Sequence, residues 1–262
     1  MEHVTSSDGT RIAYERHGEG PPIIVVGGAM ADHNGGTAVA EALADDFTVL
    51  TIDRRARGES EDNSPGIDGA VEREVADLAA LIEAVGGRAT LLGSSSGAVL
   101  SLAAAAHGLP VDRLAVFEPP FATEEFPPVA PPDMPDQLAT LLAEGRDSDV
   151  AELFLTRAVG LPAEMVAQMK DSPAWPGMTA FAPSTIYDAV LTQTYPRPEA
   201  FADLRVPTLV LNGEGTWPLL KASAAALAEV LPNGEHRTIG GGDHGFDVPS
   251  GAAAVREFMR VA

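Results

Sequence analysis

The sequence predicts an α/β fold, a mainly parallel, doubly wound sheet interrupted by one helical insertion. Three observations carry this. Continuous apolar runs of strand length recur, many of them ending in Gly or Asp, as strands buried on both faces do. Helix-length segments separate them, the rhythm of βαβ units. The rhythm stops near residue 121 and resumes near residue 204, which predicts a core domain over 1–120 and 204–262 and an inserted helical lid over 121–203.

In chain order, two short strands open the sequence, near Val4–Ser6 and Arg11–Arg16, with Asp8-Gly9 as the turn between them. IIVV (23–26) runs into Gly27-Gly28 and TVLTI (48–52) into Asp53, with a helix over about Thr37–Ala44 between them. A helix near Val71–Val85, strand ATLL (89–92), a helix over Ala98–His107 and strand RLAVF (113–117) continue the alternation. The Pro-rich stretch FPPVAPPDMP and amphipathic segments rich in Met, Leu and Phe then follow. TLVLN (208–212), a helix near Leu219–Leu231, strand HRTI (236–239) and a helix from about Ser250 to Val261 complete the sheet domain.

Composition narrows the function. A chain of 262 residues with 45% hydrophobic content can bury a sizeable core. A net charge of −21 argues against nucleic acid and anionic membranes as partners, because the field repels phosphates. The absence of cysteine excludes disulfides, thiolate metal sites and Cys nucleophiles. No apolar run approaches the roughly 20 residues of a membrane span. MEHVTSSDGT lacks the basic and apolar regions of a secretion signal, so a cytoplasmic location is expected. The expected partner is a small-molecule substrate, and self-association into a homo-oligomer is left open. No cofactor or metal is expected, since no P-loop, H-E-x-x-H or ligand-spaced carboxylate cluster occurs. Gly240-Gly241-Gly242-Asp243-His244-Gly245 satisfies G-x-G-x-x-G, but too little chain follows to build a βαβ unit.

Gly93-Ser94-Ser95-Ser96-Gly97 fits G-x-S-x-G between a buried strand and an Ala-rich helix, the setting in which a serine sits on a strained turn. With Gly27-Gly28-Ala29 after the third strand, Asp53-Arg54-Arg55-Ala56-Arg57-Gly58-Glu59-Ser60 after the fourth, and Gly242-Asp243-His244 after the last, the chain resembles the α/β-hydrolase family over nearly its whole length. The resemblance implies Ser95 as nucleophile and His244 as its base, with the backbone N–H groups of Ala29 and Ser96 as oxyanion hole. A neutral serine needs a base to take its proton, and the developing oxyanion needs donors fixed in advance. The local alternatives are a helix-capping role for Ser95 and a plain loop histidine for His244.

The stretch LVLNGEGTWP (209–218) breaks the family pattern, since Thr216 stands where the third, acidic member of the triad is common. Glu118 is the favoured replacement. It directly follows RLAVF, so it projects from the carboxyl edge of the sheet, and Pro119-Pro120 stiffen its turn. Anchoring the lid is the competing role for Glu118, and Glu214 and Asp188 are the alternative acids. Arg54, Arg55 and Arg57 either clamp an anionic substrate or hold their own loop through ion pairs. His33, close after the oxyanion loop, reads as a solvent-facing loop residue, with lining of the pocket as the alternative. The expected function is a cofactor-free serine hydrolase acting on a carboxylic ester or lactone of a largely apolar small molecule. Cyclisation or acyl transfer in the same pocket, or ligand binding by a decayed triad, are the alternatives.

Overall fold

The computed structural model describes residues 1–260. Eight strands form one sheet in the order β1-β2-β4-β3-β5-β6-β7-β8. They are β1 (Glu2–Thr5), β2 (Arg11–His17), β3 (Pro22–Val26), β4 (Thr48–Ile52), β5 (Ala89–Ser94), β6 (Val111–Phe117), β7 (Thr208–Gly215) and β8 (Gly234–Gly242). Every pairing from β4 to β8 is parallel; β2 runs antiparallel to both β1 and β4. The opening hairpin is thus no separate ribbon, since β2 joins the main sheet.

The helices are α1 (Asn34–Leu43), α2 (Ala70–Ala84), α3 (Ser96–Ala106), α4 (Met134–Ala143), α5 (Asp147–Leu153), α6 (Ala163–Lys170), α7 (Trp175–Thr179), α8 (Thr185–Thr194), α9 (Pro218–Val230) and α10 (Val248–Arg260). Side chains alternate across each strand, so the two halves of an apolar run serve different faces. Ile24, Val26, Leu91, Leu114 and Val116 pack with α2, α3 and α9. Ile23, Leu92, Ala115 and Phe117 pack with α1 and α10. This two-sided burial makes the central strands read as continuous apolar runs. The end of the closing helix expected at Val261 lies outside the described residues.

Between β6 and β7 the chain forms α4 to α8, with a π-helical turn at Phe154–Ala158. Two small apolar clusters organise this segment. Met134, Leu138, Val150 and Phe154 pack against Ala29 and Met30, and Leu155, Val166 and Trp175 also reach Met30. The insertion therefore rests on the loop that follows β3, at the carboxyl edge of the sheet. No helix among the described residues is long and apolar enough to cross a membrane.

Candidate active site

The strands β5, β6 and β8 each deliver one chemically capable side chain to the same edge of the sheet. At the end of β5 the chain turns directly into α3, and Ser95 takes φ +53° and ψ −124°. A non-glycine residue holds such a conformation only when its surroundings impose it. Here the imposition comes from close packing. A Cβ at Gly97 would stand 2.2 Å from the carbonyl oxygen of Val26, so the helix start is pressed against the end of β3 as only glycine allows. The Ser95 amide donates to the carbonyl of Phe117 at 2.9 Å, which ties the turn to β6. Opposite, the loop after β3 passes so near that a Cβ at Gly28 would lie 2.9 Å from the Ser95 Cβ.

Glu118 follows β6 with φ +48° and is fully buried. Its own amide is held by the Leu211 carbonyl at 2.9 Å. Its Oε1 accepts a hydrogen bond from the Gly213 amide at 2.8 Å, and its Oε2 meets Nδ1 of His244. His244 and the preceding Asp243 also adopt positive φ, so four of the six non-glycine residues in that region of the described chain belong to this cluster. The imidazole lies between two rings, Phe117 at 6.2 Å and 14° and Trp217 at 5.7 Å and 31°. A carboxylate facing Nδ1 keeps the ring proton there and leaves the Nε2 lone pair as acceptor. The Ser95 backbone and the His244 ring are linked through one residue, Phe117, which accepts from the first and stacks on the second.

The other residues singled out from sequence are placed elsewhere. Thr216 is buried with its hydroxyl unpartnered. The Glu214 side chain is exposed, while its carbonyl accepts from Lys221. Asp188 is engaged elsewhere, since both its oxygens are taken by Arg54, Arg57 and Ser96. Arg54 also forms two bonds of 2.8 Å with Glu74, and Arg55 pairs with Asp77, Asp8 and Asp62. The three arginines are buried and bind the protein's own carboxylates, as the loop-holding alternative anticipates. His33 departs from the solvent-facing reading and lines the cavity beside the serine turn. Its ring is 14% exposed and its Nδ1 lies 2.8 Å from the fully buried carboxylate of Asp53, which also accepts from the amides of His33 and Glu59. A carboxyl group buried at the end of β4 needs such partners.

Beside the serine turn lies a cavity of about 130 Å³, lined by Gly28, Ser94, Phe117, Phe246 and the branched side chains Val25 and Val39. Its walls are largely apolar. No group of three or more His, Asp or Glu suited to a metal ion occurs among the described residues.

A family model described as the alpha/beta hydrolase family matches residues 18–258. The chain belongs to the alpha/beta hydrolase family. The chain is similar to an alpha/beta hydrolase from Sphaerobacter thermophilus DSM 20745, with 47% identity, 98% of this chain and 100% of that chain covered, and a TM-score of 0.89. The fold is shared more distantly with a thermophilic esterase from Thermogutta terrifontis, at 22% identity over 99% and 97% of the two chains and a TM-score of 0.71. An enol-lactonase from Burkholderia xenovorans LB400 shares it at 21% identity over 98% and 99%, with a TM-score of 0.70.

Sequence reasoning passed over several groups of this alpha/beta hydrolase that border the site. Phe117 reads as one more core residue of a buried strand, and Trp217 carries no motif. Asp188 was weighed only as an acid for His244, because its arginine partners stand 131 and 134 residues away. No local pattern signals a contact of that span.

Proposed function

We propose that this alpha/beta hydrolase cleaves a carboxylic ester or lactone of a largely apolar small molecule, with Ser95 as nucleophile, His244 as base and Glu118 as the acid that orients it. The observation that carries the reading is the bond between the buried Glu118 carboxylate and His244 Nδ1. It supplies the charge that Thr216 lacks, from the neighbouring strand. In this scheme Nε2 of His244 removes the Ser95 proton as Oγ attacks the substrate carbonyl. Amides of Ala29 and Ser96 receive the oxyanion. The imidazolium, stabilised by Glu118, then protonates the departing alkoxide. Water, activated by the same ring, releases the acid and regenerates Ser95.

The substrate class rests on the surroundings. Arg54, Arg55 and Arg57 are each paired with carboxylates, leaving none of that cluster to bind an anion. Met30, Phe117, Phe246 and Trp217 offer apolar surface near the serine turn. The inserted segment over 121–203 acts in this reading as a lid, resting on Ala29 and Met30. The named activities of the esterase and the enol-lactonase agree with the reaction class.

A fluorophosphonate probe tests the reading directly. It should label the native protein at Ser95, and Ser95→Ala should remove both labelling and turnover of p-nitrophenyl butyrate and of simple lactones. Labelling no greater than in denatured protein would sink the proposal and favour a ligand-binding role.

A further inference from the structure

We infer that Asp188, carried on α8 of the inserted segment, is a positioning residue that sets the oxyanion hole, so that seating of α8 governs the rate of the proposed reaction. The inference rests on the serine-hydrolase reading and adds to it a device that neither the triad nor the lid requires.

The Asp188 carboxylate is almost fully buried and stands between two arginines, with Oδ1 receiving Arg54 Nη1 and Oδ2 receiving Arg57 Nη2, both at 2.8 Å. Each arginine reaches onward to the loop after β3. Arg57 Nη1 donates to the carbonyls of Gly28 at 2.5 Å and Ala31 at 3.2 Å, and Arg54 Nη1 donates to Gly27 at 3.2 Å. The peptide joining Gly28 to Ala29 is planar and trans, so its carbonyl and its N–H point in opposite directions. Drawing the Gly28 oxygen towards Arg57 therefore turns the Ala29 N–H away from the arginines. Gly28 itself lies against Ser95, as its missing Cβ records.

The second donor is held by the same carboxylate. Ser96 Oγ donates to Asp188 Oδ1 at 2.7 Å and receives Arg54 Nη1 at 3.1 Å. The pinned oxygen is three bonds from the backbone nitrogen that opens α3. Ala29 lies in the loop after β3 and Ser96 opens α3, and Asp188 is their common anchor. Arg57 Nε also binds Ser184 Oγ at 3.1 Å, just before α8, so the anchor is a feature of the insertion and not of the sheet domain. Burial alone would push the Asp188 carboxyl up, yet Arg57 and Arg54 hold it below its ordinary value, which keeps the anchor charged. Opening of α8 would release both donors together, leaving Ser95, His244 and Glu118 in place on the sheet.

The test compares the parent with Asp188→Asn, Arg57→Lys and Ser96→Ala in p-nitrophenyl butyrate turnover, fluorophosphonate labelling rate and thermal melting. Asp188→Asn and Arg57→Lys are expected to lower kcat and the labelling rate by about 10²-fold, with KM changed by less than about threefold. Ser96→Ala keeps the amide and loses only the pin, for a smaller loss of about tenfold. Should Asp188→Asn fail to fold, Arg57→Lys decides the matter, since it leaves Asp188 paired with Arg54. Variants that melt earlier but retain the parent's kcat, or that change KM alone, overturn the inference. A parent that the probe does not label overturns the hydrolase reading and this inference with it. A labelled parent with variants of unchanged rate overturns the inference only.

Discussion

Replacing Glu118 by glutamine isolates the charge at nearly constant shape. In the parent the two carboxylate oxygens serve two donors, the Gly213 amide at 2.8 Å and the Nδ1–H of His244. A glutamine amide has only one oxygen. If it faces Gly213, its NH₂ group faces Nδ1 and demands a lone pair there. The ring proton then moves to Nε2, which can no longer take the proton of Ser95. If the amide turns over, the buried Gly213 N–H is left against an NH₂ group, at about 1–3 kcal/mol. The first orientation prevails, and the wrong tautomer with it. A loss of this kind lowers turnover about 10⁴-fold, near 5 kcal/mol of transition-state stabilisation. The assay is kcat on p-nitrophenyl butyrate, with circular dichroism showing that the variant is folded. A folded Glu118→Gln protein within about tenfold of the parent would refute the assignment of the acid to β6.

Three further outcomes are expected. Ser95→Gly should abolish turnover while raising the urea midpoint, because relief of a conformation worth about 1–3 kcal/mol outweighs the roughly 0.5–1 kcal/mol of added chain entropy; a lowered midpoint would mean that the turn is unstrained. Thr216→Val removes a buried hydroxyl without a partner, and should add about 1 kcal/mol, seen calorimetrically as a rise of about 2 °C in Tm with activity kept. The carboxyl of Asp8 is held low chiefly by its hydrogen bond from Arg55, and that of Asp188 by Arg57 and Arg54 against the opposing push of burial. Their contribution to stability is complete above the ordinary carboxylate pKa of about 3.9 and is lost as the pH falls through their lowered folded values. Melting temperature should therefore drop on acidification below about pH 4, less steeply in Asp8→Asn than in the parent; equal acid limbs would contradict it.

The central strands were legible because burial on two faces leaves an uninterrupted apolar run, as at residues 23–26 and 113–117. The order β2-β4-β3-β5 was not legible, since nothing local in the strands specifies a neighbour. The first helix begins at Asn34, ahead of the expected Thr37, because Gly35 and Gly36 are poor helix formers in isolation, yet Gly36 lets α1 approach Thr51 and Val25. Around the site, the serine turn is written in five consecutive residues and could be read directly. Glu118 could be named from its place after β6, but its bond to His244 spans 126 residues and depends on the register of β6, β7 and β8. The burial of His33 on Asp53 has no local signature for the same reason: a histidine's environment is set by what folds over it. The paired arginines show the limit most plainly, for a basic cluster looks the same in sequence whether its counter-charges lie in the protein or in a ligand.

With Glu118, just after β6, as the proposed acid, the turn that follows β7 carries no such duty. In that turn Glu214 faces water and Thr216 bonds nothing through its hydroxyl, while Trp217 touches the imidazole. Substitutions or short insertions at Glu214 to Thr216 are expected to spare the Glu118–His244 pair and to alter the contour beside the ring. Such a turn is a natural place for divergence, and for engineering, of substrate preference.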